Sequence, residues 1–147
     1  EISDYLQQLK AIRVKEDLKS DVILIPCDTI VAHDHKAVGS PADPEEAVQM
    51  IQSMSNTTHE VITSVCFPTT DFEKTVNAVT KVTFKELTDE EIRFYIDTYK
   101  PFDKAGAYGI QEWIGLIGVT KIEGSYFNVM GLPTHLVYKT LNAMVNR

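Results

Sequence analysis

The stretches HEVITSVCF (59–67) and VNAVTKVTF (76–84) decide the fold that this sequence favours. Both are rich in β-branched and aromatic residues, which are enriched in strands. A short polar segment separates them, and two such runs joined by a polar turn predict a long antiparallel hairpin. The sequence therefore predicts a two-stranded centre against which the other elements must pack.

A second apolar run precedes this hairpin. Residues 22–25 are short, β-branched and continuous, which is typical of a strand covered on both faces. The run ends at residues 26–29, the apolar pattern resumes at 30–32, and residues 33–36 are predicted to form a hairpin turn. Further upstream, apolar residues at helical spacing within 5–15 predict an amphipathic helix.

Helix starts are marked twice by a capping pattern. Asp43 can cap a helix whose first residue is Pro44, with Glu46 completing a capping box, and residues 88–91 repeat the pattern. Residues 115–122 predict one more strand, and Pro133 begins a C-terminal helix. The alternation of strands and helices predicts an α/β domain with a mixed, twisted sheet and flanking helices. Ala47, Met50, Ile51 and Met54 are predicted to form a buried stripe. The other apolar helix positions are Ile92, Tyr95, Ile96, Leu136, Val137, Leu141 and Met144.

Composition limits the classes of partner. The formal net charge of -7 opposes binding to nucleic-acid polymers, although focused cations and a metal can still hold a small phosphorylated ligand. No window resembles a membrane span. Cys27 and Cys66 form no CxxC pair and are predicted to be reduced core residues, as in the cytosol. Because the first residues already have helical spacing, we expect the true N-terminus to be missing.

Asp28 is the most informative acidic residue. It follows an apolar run directly, and ligands of open α/β sheets gather at the carboxyl ends of strands. A carboxylate there can hold a hard cation or take a proton from water. Composition alone favours the alternative, in which an Asp-Thr pair forms a turn through a local side-chain hydrogen bond.

The segment KPFDKAGAYGIQ (100–111) is the second candidate region. Its small residues allow the backbone to approach a ligand, as phosphate-binding loops require. Lys104 supplies a positive charge, and Gln111 supplies an amide that can bind the edge of a base. An ordinary glycine-containing connector is an equally good interpretation of composition alone.

The histidines are weaker candidates for functional residues. His33 and His35 flank Asp34 as a potential H-x-H metal pair, but without a third ligand nearby we expect solvated loop histidines. His59 at a strand start and His135 on a helix are predicted to be structural. The sequence contains no P-loop, no G-x-G-x-x-G motif and no nucleophile elbow.

The longer motifs are more specific than the composition, because they indicate a particular protein family. The segments CDTIV, GSPADPEEA, HEVITSV, LTDEEIRFYI, DKAGAYGIQ and IEGSYFNVMGLP occur in the order found in the Maf family. The chain resembles this family over nearly its whole length. The long string D-K-A-G-x-Y-x-I-Q and the ending I-E-G-x-x-x-N-V-x-G-L-P make the resemblance highly specific. It implies a single Maf-like domain over 1–147, N-terminally incomplete, with a fold related to inosine triphosphate pyrophosphatase.

The resemblance also implies an activity. Family members are nucleoside triphosphate pyrophosphatases, and this form of the motif is similar to the branch that hydrolyses dTTP and UTP to the monophosphate and pyrophosphate. By this resemblance, Asp28 is the proton acceptor and a ligand of a divalent cation, Mg²⁺ or Mn²⁺. Thr29 and Gln111 are substrate-specificity positions, and Lys104 binds phosphate. The expected protein is a cytoplasmic homodimer, with a link to septum formation in bacteria.

Three departures from the family pattern leave alternatives open. The S-x-S-P-R-R loop is absent, Gly39-Ser40-Pro41 replaces the usual G-K-P, and Pro26-Cys27 replaces a small Gly-Ala pair. A nucleotide-binding or division-regulating module without catalysis is therefore the competing hypothesis. A third is a dimerisation domain that uses an exposed strand face formed by Trp113, Ile114 and Leu116.

Overall fold

A computed structural model describes residues 24–68 and 73–145. Its strands are β1 Cys27–His33, β2 Lys36–Val38, β3 Thr58–Pro68, β4 Glu73–Phe84 and β5 Val119–Glu123. They form one sheet in the order β2-β1-β3-β4-β5, and all described pairings are antiparallel. The helices are α1 Pro44–Met54, α2 Asp89–Tyr99, α3 Trp113–Gly118, α4 Tyr126–Met130 and α5 Thr134–Val145, with a 3₁₀ turn at Ala105–Ala107. The predicted α/β class with flanking helices is confirmed, but the described part of the sheet is antiparallel rather than mixed, because each described pair of neighbouring strands runs in opposite directions.

The long hairpin is confirmed as β3 and β4. Its register runs from Thr58 opposite Thr83 to Pro68 opposite Glu73. Val61, Val65 and Val82 are fully buried, because alternate residues of the two strands face the core. This pair of strands is flanked by β1 on one side and by β5 on the other, so it forms the centre of the sheet.

The first strand begins later than predicted. Residues 24 and 25 lie outside any strand, while 22 and 23 lie outside the described residues, as does the helix predicted over 5–15. The register with β3 fixes the start, since Cys27 lies opposite Val65 and the Pro26 carbonyl accepts a hydrogen bond from the Cys66 amide. Asp28 therefore lies within β1 rather than after a strand.

The turn after β1 is confirmed. Asp34 and His35 both adopt positive φ, at 51° and 62°, between the paired residues His33 and Lys36. Two successive residues of this kind match the twist of the flanking strands in a two-residue hairpin.

Both predicted N-caps are confirmed, although Glu46 contributes only its backbone amide to the first, so that a complete capping box forms only at the second. The Asp43 carboxylate accepts a hydrogen bond from the Glu46 amide at 2.8 Å, and Pro44 is the first residue of α1. Thr88 and Glu91 form a complete capping box at the start of α2. The predicted apolar positions of α1 and α2 are buried except Met50, which is partly buried at the edge of the core. Local sequence is sufficient here because a cap satisfies backbone donors within a single turn.

The strand predicted over 115–122 is only half right, because α3 occupies 113–118 and β5 begins at Val119. Gly115 allows α3 to pack against residue 110, since a Cβ at position 115 would overlap the carbonyl of Ile110. The predicted apolar strand face does not form: Ile114 is buried, Leu116 is 81% exposed, and Trp113 packs edge-on against Phe94.

The C-terminal helix is confirmed as α5. Among the described residues, every helix is too short or too polar to cross a membrane.

Candidate functional site

A cavity of about 280 Å³ lies where β1, the segment 103–111 and the end of α4 meet. We call the segment 103–111 the glycine loop. All four site residues predicted from the sequence line this cavity, namely Asp28, Thr29, Lys104 and Gln111. The structure therefore brings together residues that are separated by up to 83 positions in the sequence.

Asp28 and Thr29 reach the cavity from the first half of β1. They lie opposite Ser64 and Thr63 of β3, whereas β2 pairs only with the last part of β1, from Val31 onward. Successive strand residues point to opposite faces, yet both residues contact the cavity. Thr29, Val31 and Val61 share one face of the sheet, so the cavity lies over that face and Asp28 adjoins it. The carboxyl-end position predicted for Asp28 is wrong, because the strand extends beyond it to His33.

The glycine loop lies directly on β1. Gly106 has φ of 73°, a conformation that side chains disfavour, and a Cβ there would be 3.0 Å from a Val31 methyl group. Its amide donates to the carbonyl of Gly39 at 3.1 Å, which places the segment 39–41 beside the loop. The Lys104 ammonium lies 3.6 Å from the Asp103 carboxylate and keeps 31% of its side chain exposed. It is therefore available to an anion in the cavity.

One buried tyrosine fixes the second half of the loop. The Tyr95 hydroxyl accepts a hydrogen bond from the Gly109 amide at 3.0 Å and donates to the Glu112 carboxylate at 2.6 Å. Burial, and then the hydrogen bond to Glu112, raise the pKa of Tyr95 well above its usual value, so the hydroxyl stays protonated. A Cβ on Gly109 would lie 2.8 Å from the Glu112 carboxylate and 3.0 Å from Lys104 Cε. Gly109 is thus where Tyr95, Glu112 and Lys104 converge.

Tyr108, which lies within the glycine loop, is fixed by contacts with β3 and β4. Tyr108 Oη lies 2.6 Å from His59 Nε2, and both rings pack against Phe84. Burial, and then the charge of His33, lower the pKa of His59 to about 4, so this imidazole is neutral at pH 7. His59 Nδ1 is buried and has no hydrogen-bond partner in the described part of the chain. His59 therefore has the structural role predicted for it.

Thr29, which is partly buried, begins a chain of hydrogen bonds that leads into the core. Its Oγ1 lies 2.9 Å from Thr63 Oγ1, which in turn donates to the Asn128 carbonyl at 3.2 Å. The Asn128 side-chain amide donates to the carbonyls of Val61 and Ala78 and to Thr80 Oγ1. These bonds attach α4 to the sheet, so that residues 129–131 line the cavity.

Sequence reasoning missed four residues that shape this site. They are Thr63, Tyr95, Glu112 and Asn128. Tyr95 was predicted only as a core residue, and Asn128 lies inside a matched motif without an assigned role. The contacts described above join residues from 14 to 67 positions apart, and no spacing pattern signals such pairs.

The two histidines of the H-x-H motif differ in their surroundings. His33 Nε2 lies 3.0 Å from Thr57 Oγ1 and its side chain is only 10% exposed, so the prediction of a solvated ring is wrong for His33. His35 and His135 are exposed. Across residues 24–68 and 73–145, no three His, Cys, Asp or Glu side chains cluster so as to hold a metal ion. Cys27 and Cys66 form no disulfide, as predicted.

Comparison with known proteins gives a consistent result. Residues 1–144 match the family described as Maf-like protein. A dTTP/UTP pyrophosphatase of Christiangramia forsetii is 59% identical over 146 residues, which is 99% of this chain and 74% of that protein. One from Flavobacterium johnsoniae is 59% identical over 145 residues, covering 99% and 75%. One from Phocaeicola vulgatus is 49% identical over 144 residues, covering 98% and 75%.

Proposed function

The chain belongs to the Maf family, since the family match covers residues 1–144, and from this premise we propose that it is a nucleoside triphosphate pyrophosphatase. Its substrate is dTTP or UTP, which it hydrolyses to the monophosphate and pyrophosphate. The names of the relatives from C. forsetii and F. johnsoniae support the class of reaction. The observation that carries the proposal is the shared cavity, which contains a carboxylate, a lysine and two base-binding candidates.

Asp28 is the group that acts on water in this proposal. Asp28 lines the cavity, and in this proposal its carboxylate takes a proton from a water molecule, whose oxygen forms a bond to the α-phosphorus. The bond between that phosphorus and the bridging oxygen breaks, and pyrophosphate leaves with the electron pair. Such displacements depend mainly on positioning and on neutralising charge.

Lys104 neutralises part of that charge. Its ammonium is partly exposed beside the cavity, and the Asp103 carboxylate 3.6 Å away holds it without burying it. The small residues of the glycine loop leave backbone close to the same space. We therefore place the triphosphate along the glycine loop.

The donor set fits a divalent cation that enters with the nucleotide. Mg²⁺ is typically bound by one or two carboxylates together with substrate phosphates and water. Asp28, with Asp103 also lining the cavity, supplies this kind of ligand set. The cation would neutralise phosphate charge, and Asp28 is the residue that would hold it.

Thr29 and Gln111 recognise the base. Both line the cavity, and the exposed Gln111 amide offers a donor and an acceptor. Uracil and thymine present alternating acceptors and a donor on the edge that these groups can bind. The homodimer, the cytoplasmic location and the link to septum formation stay predictions.

The central test is a pyrophosphate-release assay. A panel of nucleoside triphosphates is incubated with Mg²⁺ or Mn²⁺, both with this chain and with this chain preceded by the corresponding N-terminal segment of the F. johnsoniae relative. We expect release from dTTP and UTP above all others. Nucleotide binding without pyrophosphate release in both proteins would instead support the non-catalytic binding module.

Asp28→Asn tests the catalytic assignment. The variant keeps the size of the side chain but is a much weaker base, so turnover should fall at least about a hundredfold while the thermal midpoint is unchanged. Asp34→Asn is the matched control, because Asp34 lies in the exposed β1–β2 turn, and its turnover should stay normal. Near-normal turnover of Asp28→Asn would remove this residue from the mechanism.

A further inference from the structure

In the hydrogen-bonded chain from Thr29 through Thr63 to Asn128, the donor and the acceptor of each bond can be assigned. A carbonyl oxygen only accepts, so in the contact between Thr63 and Asn128 the single hydroxyl hydrogen of Thr63 goes to Asn128. Thr63 can then form its 2.9 Å hydrogen bond with Thr29 only if Thr29 donates. The reverse orientation would lose one of the two bonds, and Thr63 is fully buried, so water cannot replace it. The hydrogen of Thr29 is therefore directed at Thr63.

As a consequence, Thr29 offers only lone pairs to the cavity. Gly131 leaves this oxygen accessible, because it carries no side chain and a Cβ there would lie 3.6 Å from Thr29 Oγ1. Both residues line the cavity. A hydroxyl that normally both donates and accepts is here restricted to accepting.

Gln111 cannot supply the same restriction. Its side chain is exposed, and a half-turn of the amide exchanges its donor and acceptor. One orientation donates to O4 of uracil or thymine, and the other accepts from the 4-amino group of cytosine. A second group of fixed polarity is needed to choose between these bases.

We propose that Thr63, by taking the hydrogen of Thr29, makes Thr29 the acceptor for the N3–H of uracil or thymine and so excludes cytosine, whose N3 also accepts. Thr63 is thus a positioning residue for base selectivity, acting through Thr29. This inference rests on the proposed function and identifies what in the cavity distinguishes the pyrimidines. A site built for one hydrogen-bond pattern rejects a ligand that leaves its groups unpaired.

Thr63→Val tests the direction of the chain. Valine keeps the shape but frees the Thr29 hydrogen, which can then donate to N3 of cytosine. We expect kcat/KM for CTP to rise and the UTP-to-CTP ratio of kcat/KM to fall about tenfold, the worth of one hydrogen bond. Thr63→Ser keeps the hydroxyl and should keep the original ratio.

Thr80→Val is the matched control. Thr80 is also buried, and its hydroxyl also connects the sheet with α4, by donating to the Ser125 carbonyl and accepting from Asn128. It has no bond to Thr29 among the described contacts. Thr80→Val should lower the thermal midpoint about as much as Thr63→Val and leave the UTP-to-CTP ratio unchanged. Equal changes of the ratio in both variants would show that loosening α4, and not the polarity of Thr29, controls selectivity.

A second variant avoids dependence on the folding of Thr63→Val. Thr29→Val removes the acceptor, so kcat/KM for UTP should fall about tenfold while that for CTP is unchanged. An equal loss for both nucleotides would overturn the inference.

Measurements of nucleotide binding distinguish a failure of this inference from a failure of the proposed function. Dissociation constants of UTP and CTP are measured by calorimetry in EDTA, where hydrolysis is not required. If the unmodified protein releases no pyrophosphate but binds UTP more tightly than CTP, and Thr63→Val removes that preference, the inference stands and the proposed function fails. If the unmodified protein hydrolyses UTP, and Thr63→Val keeps the same preference for UTP over CTP, the proposed function stands and the inference about Thr63 fails. If neither nucleotide binds, both are overturned.

Discussion

The β3–β4 hairpin and the glycine loop are stabilised in different ways. The hairpin has a continuous register of eleven residue pairs, each of which repeats the same backbone pattern. The glycine loop is fixed by single contacts, namely Tyr95 with Gly109, His59 with Tyr108, and Gly39 with Gly106. A ladder distributes stability over many equivalent bonds, whereas each contact of the loop determines the position of one part of the cavity. We expect substitutions in the two regions to separate stability from function.

The largest expected effect concerns Phe84, where the hairpin contacts the loop. Its ring is 1% exposed and packs against His59 and Tyr108 at centroid distances of 5.1 and 4.9 Å. Phe84→Ala leaves a cavity and should lower the free energy of unfolding by about 3–5 kcal/mol. Urea unfolding followed by circular dichroism measures this. Val79→Ala on the same strand, at a position 51% exposed, should change it by less than about 0.5 kcal/mol.

Acid should weaken the contact between the hairpin and the loop through His59. Burial lowers its pKa from 6.5 to about 4, so between these values the unfolded chain binds a proton that the folded chain does not. Stability is fully present above pH 6.5 and falls as pH decreases, by about 2 kcal/mol from this group between pH 7 and pH 5. His59→Gln should remove most of this dependence in urea titrations at the two pH values. An unchanged pH slope in the variant would exclude His59 as its source.

Removing the α2 hydroxyl that fixes the glycine loop should affect function more than stability. Tyr95→Phe keeps the buried ring but leaves the Gly109 amide and the Glu112 carboxylate without their shared partner. We expect a loss of about 1–1.5 kcal/mol in unfolding free energy, and an increase in KM for UTP, since Gly109 and Gln111 are no longer fixed. Tyr99→Phe is the control, because that hydroxyl lies on the same helix at a position 38% exposed. Equal KM values for the two variants would contradict a positioning role for Tyr95.

Removing one hydroxyl from the hairpin should have the smallest effect. Thr58 Oγ1 lies 2.7 Å from Thr83 Oγ1 in an exposed cross-strand pair. Thr58→Val should cost about 0.2–1 kcal/mol and leave KM unchanged, because the backbone ladder on both sides of the pair is intact. The sharpest form of the comparison is between Thr58→Val and Tyr95→Phe, which each delete one hydrogen-bonding hydroxyl. If Thr58→Val raised KM as much as Tyr95→Phe, the distinction between the two regions would fail.

Sequence patterns predicted the elements that depend on neighbouring residues. The hairpin, the caps at Asp43 and Thr88, and the two-residue turn at Asp34 all follow from short-range chemistry. The boundary at 113–118 was missed because Gly115 permits a helical turn that an apolar run does not reveal, and the start of β1 depends on its register with β3.

The sequence by itself determined the α/β class, the central hairpin, the family and the four candidate site residues, because periodicity, caps and long motifs are local properties of the chain. Only the tertiary structure decided which residues meet: the convergence of Tyr95, Glu112 and Lys104 at Gly109, and the direction of the hydroxyl chain from Thr29 through Thr63 to Asn128. The physical reason is that a hydrogen bond depends on distances of about 3 Å and on which atom carries the hydrogen. Neither quantity is set by residue spacing until the sheet, the glycine loop and α4 are packed together.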